Sequence, residues 1–479
     1  MTVSFSQSTE TAASQQDKNP NSLQTYRIGQ ATAGEAKYLI GSVSRLTMLD
    51  FWAGFGLIFI GVPTPFVTMP VGTVVVLLLV LYKLTKPATL ETRYNSLFFS
   101  IILLAVGWAL FESLAFNGIS IDEAIRRAIR MAVVLLLALQ IAQKRIDIRS
   151  LIFGVAAGLI FNLIGFYAGV APNNYGGTLT GWLNDKNQSG LYYAIFGFLF
   201  VAMVRKTSHR IVALVVTSGM LWLTGSRTSL AAYALAVLWL YFSHRLNLFG
   251  KAVLAWLLYL AVNYFEDNFA HAGAFADRLG SDLLRERIDE TMYRMIDVVP
   301  WYGGGLGTAQ VWLQNRYFYF HNSYMTLVQE AGWLYMIVIV ALMISAAFIW
   351  KQPRAQRIVI AEAAMVIIII TSQRLGEVIL TVPWAIVVGL ALLYLNPDKD
   401  LDASDSGHHE PGAMQKAQSS DEAQSSDEAQ SSDEKPELQN GQVIEKEAPA
   451  SVTEQEAPKK STTSKSFDVS SIRQRARKI

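Results

Sequence analysis

The chain has 479 residues, 52% of them hydrophobic and 16% charged, with 40 lysines and arginines against 38 aspartates and glutamates. That composition excludes an ordinary soluble domain and indicates an integral membrane protein; the near balance of charge says little about partners, and no nucleic acid is expected among them. There is no cysteine, which excludes disulfides, thiolate metal sites and a cysteine nucleophile.

Residues 1–45 form a polar N-terminal segment, and its opening "MTVSFSQSTETAASQQDKNPNS" lacks the basic-then-apolar pattern of a cleaved signal peptide. Residues 46–396 then carry apolar windows near 48–63, 65–83, 96–116, 126–143, 150–170, 188–204, 210–224, 229–243, 249–265, 322–350, 357–372 and 377–395. Windows of this length cross a bilayer as helices, because only a helix satisfies every backbone polar group within the segment. The expected fold is an all-α integral membrane protein of about twelve transmembrane helices. Basic residues decide its orientation. With the N-terminus inside, the inward loops carry Lys83, Lys86 and Arg93, then Lys144, Arg145 and Arg149, then Arg205, Lys206 and Arg210, then Arg245 and Lys251, and finally Lys351, Arg354 and Arg357. Both termini are thus expected in the cytoplasm. Arg126, Arg127 and Arg130 fall on the opposite side, either as an exception or because the 126–143 span lies partly along the interface.

Two outward connections are long enough to be functional: "GVAPNNYGGTLTGWLNDKNQSG" at 169–190 and the stretch from about 266 to 320. In the second, Leu283, Leu284, Ile288, Met292, Met295 and Ile296 have helical spacing, and Pro300 with the glycines of "PWYGGGLG" ends the run. An external helical subdomain is expected there. From residue 397 to 479 the chain is polar and repeats "AQSSDE" three times, a composition that cannot bury enough apolar surface to order itself.

Candidate chemistry gathers at the outward face. Arg227, in the tight turn of "LTGSRTSLAAY", either snorkels to the interface or holds a diphosphate through its planar fork. Arg285 and Arg287 lie on the external helix beside Glu286, Asp289 and Glu290, as surface ion pairs or as anion ligands. His321 precedes a helix that starts near Asn322, whose dipole disfavours the protonated ring; the residue is either an interfacial anchor or a proton acceptor. Tyr317, Tyr319, Trp301 and Trp333 suit an aromatic belt or stacking on sugar rings. Within the spans, Glu330 is ionisable in apolar surroundings, and Arg374 and Glu377, three apart, are expected to compensate each other. No Walker loop, HExxH or dinucleotide fingerprint occurs, "GGGLG" reads as a turn, and "NDKNQSG" lacks metal-ligand spacing, so no cofactor or metal is expected.

The combination of "TGSRTSLAAY", an arginine fifteen residues before Pro300, "PWYGGGLG" and "HNSYMTLVQEAGWLY" resembles the O-antigen ligase and polymerase superfamily of polytopic membrane glycosyltransferases. In the last segment His321 and Asn322 are followed by nine residues, Gly332, Trp333 and Tyr335. The likeness implies a bacterial inner-membrane enzyme that takes a glycan from undecaprenyl diphosphate at the periplasmic face, without a metal and with inversion at the anomeric carbon. It implies His321 as general base, Arg227 and Arg285 as ligands of the diphosphate, and Arg287, Asn322 and Tyr324 as substrate-binding residues. Asp289 stands where the family often has tryptophan, four residues after Arg285, which leaves the choice between Arg285 and Arg287 open. The implied partners are the lipid-linked donor, a glycan or lipid A-core acceptor, the bilayer and other polysaccharide assembly proteins. Polymerisation of exopolysaccharide or O-antigen repeat units is favoured over ligation, because the 266–320 loop has more acids than bases whereas lipid A-core is anionic. A secondary transporter also accommodates twelve spans, and the repetitive tail alone suggests a scaffold.

Overall fold

A computed structural model describes residues 46–65, 69–90, 93–116, 121–204, 206–269, 279–348 and 356–395. The N-terminal segment and the tail with its AQSSDE repeats lie outside the described residues. Thirteen α-helices dominate the described chain: α1 Met48–Gly56, α2 Val71–Leu84, α3 Arg93–Ala115, α4 Ile121–Ala142, α5 Ile148–Tyr167, α6 Lys186–Met203, α7 Thr207–Leu223, α8 Arg227–Phe242, α9 Leu248–Phe269, α10 Leu279–Val298, α11 Ser323–Ala347, α12 Gln356–Ser372 and α13 Val382–Tyr394. Each apolar window of the sequence overlaps one of these helices. Among the described residues, Asn95–Ala115, Ile148–Tyr167 and Ser323–Ala347 are long and apolar enough to cross a membrane, and shorter apolar helices accompany them. The chain is a mostly helical membrane protein.

Helix starts are written in the sequence. Asp147 caps α5, accepting from the amides of Arg149 and Ser150; Asp185 caps α6 and Asn322 caps α11 in the same way. A short polar side chain at this position satisfies amides that have no partner within the helix. The core holds α13 at its centre, with Trp384, Ala385, Ile386, Val387 and Val388 wholly buried between neighbours such as α4 and α12.

The two ends of the bundle differ. At one end the buried Asp50 carboxylate pairs with Lys83 at 2.8 Å, and the same ammonium donates to the Arg145 carbonyl at 2.9 Å. Asp50 also accepts from the Asp147 amide at 2.9 Å. Lys251 meets the buried Glu362 at 2.5 Å, and the Trp239 indole donates to the same carboxylate. Lys83, Arg145 and Lys251, expected as membrane-flanking charges, are therefore also structural fastenings. At the other end lie the 169–185 connection, the α7–α8 turn, α10, the start of α11 and the 373–381 loop.

The region expected as purely helical contains strands. Gln310–Leu313 (β1) pairs antiparallel with Arg316–Tyr319 (β2), with Trp312 opposite Tyr317. Gln314 and Asn315 take φ of 51° and 61°, the left-handed pair that a two-residue hairpin turn requires. Aromatics read as a membrane belt are thus partly cross-strand partners: the Trp312 and Tyr317 rings meet edge to face at 4.5 Å.

Candidate functional site

The site is built from Phe320 outward. Phe320 is fully buried in a small second core with Ile288, Met292 and Ile296 of α10, Val311 of β1 and Val328 of α11, and its amide donates to the Ala309 carbonyl at 3.2 Å. Under it runs the 373–381 loop. Ser323 Oγ donates to the Leu375 carbonyl at 2.6 Å and accepts from the Val378 amide at 3.0 Å, while Thr326 Oγ1 donates to the Gly376 carbonyl at 3.2 Å. A Cβ on Gly376 would come within 1.6 Å of the Phe320 carbonyl oxygen, so only glycine permits this approach. His321 is consequently held by α10 and the hairpin on one side and by the 373–381 loop on another.

The His321 ring is half-buried, and Nδ1 is buried with no hydrogen-bond partner among the described residues. Burial, first, and the positive charge of Arg285, second, push its pKa down to about 4; Asp185 opposes this and Lys186 adds to it. A neutral imidazole at physiological pH was expected from the helix dipole, and the structure supplies two further causes. These three charges define the surroundings of the ring, two of them from a segment that sequence reasoning did not connect with it.

Arg285 and Arg287 are separated by helix geometry. Arg285 is half-buried and lies three residues before the buried Ile288, which puts both on the face of α10 turned to Phe320. Arg287 is exposed. The structure brings Arg285, and not Arg287, into the electrostatic surroundings of His321.

The 169–185 connection forms another wall. Buried Asn162 accepts from the Trp182 amide at 2.8 Å and donates to the Thr180 carbonyl at 3.3 Å, and the Leu179 amide donates to Leu223 at the end of α7 at 2.9 Å. Asp185 accepts from the amides of Asn187 and Gln188 and, through its other oxygen, from the Tyr175 hydroxyl at 2.8 Å. Burial, then the charge of Asp185, raises the Tyr175 pKa to about 12, so the phenol stays a donor. The Lys186 ammonium lies 6.0 Å from the Tyr175 ring centroid. Sequence reasoning saw only carboxylate and amides in "NDKNQSG". An aspartate that caps a helix after a long outward loop was the available signal.

Arg227 is the first residue of α8, following a turn in which Gly225 takes φ of 61°. Ser226 and Ser229 bond each other at 2.8 Å, and they press on Gly190, where a Cβ would lie 2.4 Å from Ser226 Cβ. The start of α8 is therefore packed against the second turn of α6, one turn beyond Asp185 and Lys186. Arg227 belongs to the same end of the bundle as His321 and is half-buried.

Two other candidates have structural duties. Asn322 Oδ1 accepts from the amides of Tyr324 and Met325 at 3.0 and 3.1 Å, so its oxygen is engaged in the helix cap. The Tyr324 hydroxyl donates to the Ile369 carbonyl of α12 at 2.9 Å, inside the bundle. Glu377, paired in the sequence reading with Arg374, meets Arg127 at 3.1 Å, and Arg127 also meets the buried Glu330 at 2.7 Å. Arg127 is thus a largely buried cation held by two carboxylates, whereas Arg126 and Arg130 are exposed.

Cations, a neutral imidazole and a carboxylate at one end of a membrane bundle are suited to an anionic lipid-borne substrate. Residues 212–340, from α7 through the first part of α11, match the family model described as O-antigen ligase, and this match supports the O-antigen ligase and polymerase superfamily for the chain. Curated proteins give no match. The match over 212–340 and the apolar helices together point to a membrane protein and support a function of the O-antigen ligase or polymerase type.

Proposed function

We propose that this protein transfers a glycan from undecaprenyl diphosphate to an acceptor hydroxyl at the periplasmic face of a bacterial inner membrane, polymerising repeat units of an exopolysaccharide or O-antigen. The observation that carries the reading is the half-buried His321 ring, its Nδ1 without a hydrogen-bond partner among the described residues, at the end of the bundle that also holds the half-buried Arg285 and Arg227. His321 takes the proton of the acceptor hydroxyl. The acceptor oxygen forms its bond to the anomeric carbon as the bond from that carbon to the diphosphate oxygen breaks, and undecaprenyl diphosphate leaves with the electron pair. A single displacement inverts the anomeric centre. Arg285 and Arg227 stabilise the charge growing on the leaving group, and in a partly dehydrated cleft such donors act more strongly than water does. These guanidinium groups supply the countercharge without a metal.

Orientation follows from the concentration of basic residues such as Lys83, Arg145, Arg149, Arg210 and Lys251 at the opposite end, which favours that end for the cytoplasm together with both termini. Replacing Arg285 with alanine is expected to lower turnover of the lipid-linked donor by roughly 10²-fold, the scale of removing one preorganised donor to a leaving oxyanion. Replacing the exposed Arg287 with alanine should leave turnover within about twofold of wild type. Equal losses from both changes would contradict the assignment of Arg285.

The pH profile carries a second expectation. In the free protein the ring is protonated only below about pH 4, so the acidic limb of kcat/KM falls near that value. Donor diphosphate bound to Arg285 cancels the positive charge that depresses the ring and makes His321 a better base. The acidic limb of kcat should therefore stand at higher pH than that of kcat/KM. Coincident limbs near pH 6.5 would show a ring insensitive to both burial and Arg285. Polymerisation is separated from ligation by labelling the cell's glycans in a strain lacking the protein. Single repeat units on the core mark a lost polymerase; long lipid-linked chains beside bare core mark a lost ligase.

A further inference from the structure

α11 is broken in its middle. Ala331 (φ −146°, ψ 17°) and Gly332 (φ 85°, ψ 172°) leave helical geometry before the helix resumes. A break in an apolar helix frees carbonyls that must find donors elsewhere, because no water reaches them in hydrocarbon. The Pro300–Thr308 loop supplies the donors. The Gly304 amide donates to the Gln329 carbonyl at 2.6 Å and the Gly305 amide to the Glu330 carbonyl at 3.1 Å. Leu306 donates to Ser113 Oγ of α3 at 2.8 Å, and Gly307 donates to the Glu330 carboxylate at 3.1 Å. The fit is steric as well as polar. A Cβ on Gly303 would lie 2.6 Å from Ala331 Cα, and one on Gly332 would lie 2.0 Å from the Trp301 carbonyl oxygen. The loop that joins Arg285's helix to the hairpin is therefore wedged into the helix that begins two residues after His321.

One side chain connects this wedge to the rest of the site. Arg127 of α4 sends Nε to Glu330 Oε1 at 2.7 Å and a terminal nitrogen to Glu377 Oε1 at 3.1 Å. Glu330 is 1% exposed, and its second carboxylate oxygen has no hydrogen-bond partner among the described residues. Tyr335, whose buried hydroxyl is likewise unpartnered there, lies where the charges of both Glu330 and Arg127 act on it. Glu377 follows Gly376, the residue pressed against the Phe320 carbonyl, and its own carbonyl accepts from Gln188 Nε2 at 3.4 Å. Gln188 is in the first turn of α6, two residues after Lys186. A chain of contacts thus runs from the wedge through Glu330, Arg127 and Glu377 to both walls around His321.

We propose that Arg127 is a positioning residue: one buried guanidinium clamps Glu330 and Glu377 and so sets the place of His321 against the Asp185–Lys186 wall. This inference rests on the proposed function for its readout, since a displaced His321 is seen as lost turnover. The physical reason to expect more than stability from the clamp is that a buried ion pair is a weak stabiliser. Removing one partner leaves an uncompensated charge, yet replacing both by neutral groups of similar volume is often harmless to the fold. What the neutral pair cannot reproduce is a planar fork that reaches two carboxylates on different segments in fixed directions.

The test compares purified wild type with R127M/E330Q, in which the one carboxylate that loses Arg127 is that of Glu377, 41% exposed and open to water, and the glutamine still offers an acceptor to Gly307. The expected result is a melting temperature close to wild type and a donor KM within about threefold, with kcat lower by roughly 10²-fold, the scale of a 1 Å misplacement of reacting groups. The acidic limb of kcat/KM should also rise, as His321 becomes more hydrated beside Arg285, Asp185 and Lys186. Wild-type kcat with an unmoved limb would overturn the proposal. Should R127M/E330Q fail to fold, E377Q decides instead, because the Glu377 side chain is 41% exposed and tolerates the change. A fall in kcat of about tenfold supports the clamp, and wild-type kcat refutes it. H321A, assayed in parallel, separates the two readings: full activity there sinks the glycosyl-transfer mechanism, whereas an inactive H321A beside a fully active R127M/E330Q removes the role of Arg127 alone.

Discussion

Gly332→Val is expected to leave no folded protein in the membrane fraction. The residue stands at φ 85° and ψ 172°, a region that essentially only glycine occupies and that costs other residues about 1–3 kcal/mol. A side chain there would also meet the Trp301 carbonyl oxygen, 2.0 Å from where its Cβ must lie. Relief would require withdrawing the Pro300–Thr308 loop, with loss of the bonds from Gly304 and Gly305 to the freed carbonyls of α11. Against a total stability of about 5–15 kcal/mol, strain and unmet backbone groups together remove most of the margin. Gly107→Ala in α3 is the control, because a Cβ there meets nothing within 4 Å and alanine is the better helix former. Detergent-solubilised G107A should elute and melt as wild type does; G332V that does the same would show the wedge to be dispensable.

His321→Ala is the second large effect. Turnover of lipid-linked donor should fall by about 10²- to 10⁴-fold, the usual contribution of a placed general base. The melting temperature should hardly change, because Nδ1 has no hydrogen-bond partner among the described residues to lose, whereas the neighbouring Asn322 and Ser323 carry the cap and the 373–381 loop. Turnover within about threefold of wild type would exclude proton acceptance by this ring as a catalytic step.

Much of the fold was legible because lipid imposes a simple rule on sequence. A backbone in hydrocarbon has to be helical, so each run of apolar residues marks a helix whichever way its side chains pack. The strands escaped the same reading because "QVWLQNRYFY" is short and rich in aromatics, and an aromatic cluster near a membrane also reads as a belt. Its one distinguishing mark is Gln314–Asn315 between two runs of β-favouring residues.

The candidate site is legible where it rests on single residues and not where it rests on pairing across the chain. His321 and Arg227 stand out as polar groups at the edges of apolar segments, and Arg285 as a cation on the external helix. The partners of Arg127 lie 203 and 250 positions away, beyond the reach of any local spacing rule, so spacing points only to the nearer Arg374 as a companion of Glu377. Gly332 stood in the motif without a reason. The break in α11, filled by "PWYGGGLG", gives that glycine and the loop glycines a common cause. Asp185 and Lys186 are not legible as neighbours of His321 because an aspartate cap marks where a helix starts and says nothing of which distant side chain it faces. Only the fold puts their charges beside the imidazole.

The most direct test of the central claim is release of undecaprenyl diphosphate from a lipid-linked glycan donor by the purified protein in the presence of acceptor. Wild type is predicted to release the lipid diphosphate and lengthen the acceptor glycan, and His321→Ala, Arg285→Ala and Arg227→Ala to do so far more slowly. No release by wild type, with solute flux across proteoliposomes that survives all three substitutions, would contradict it.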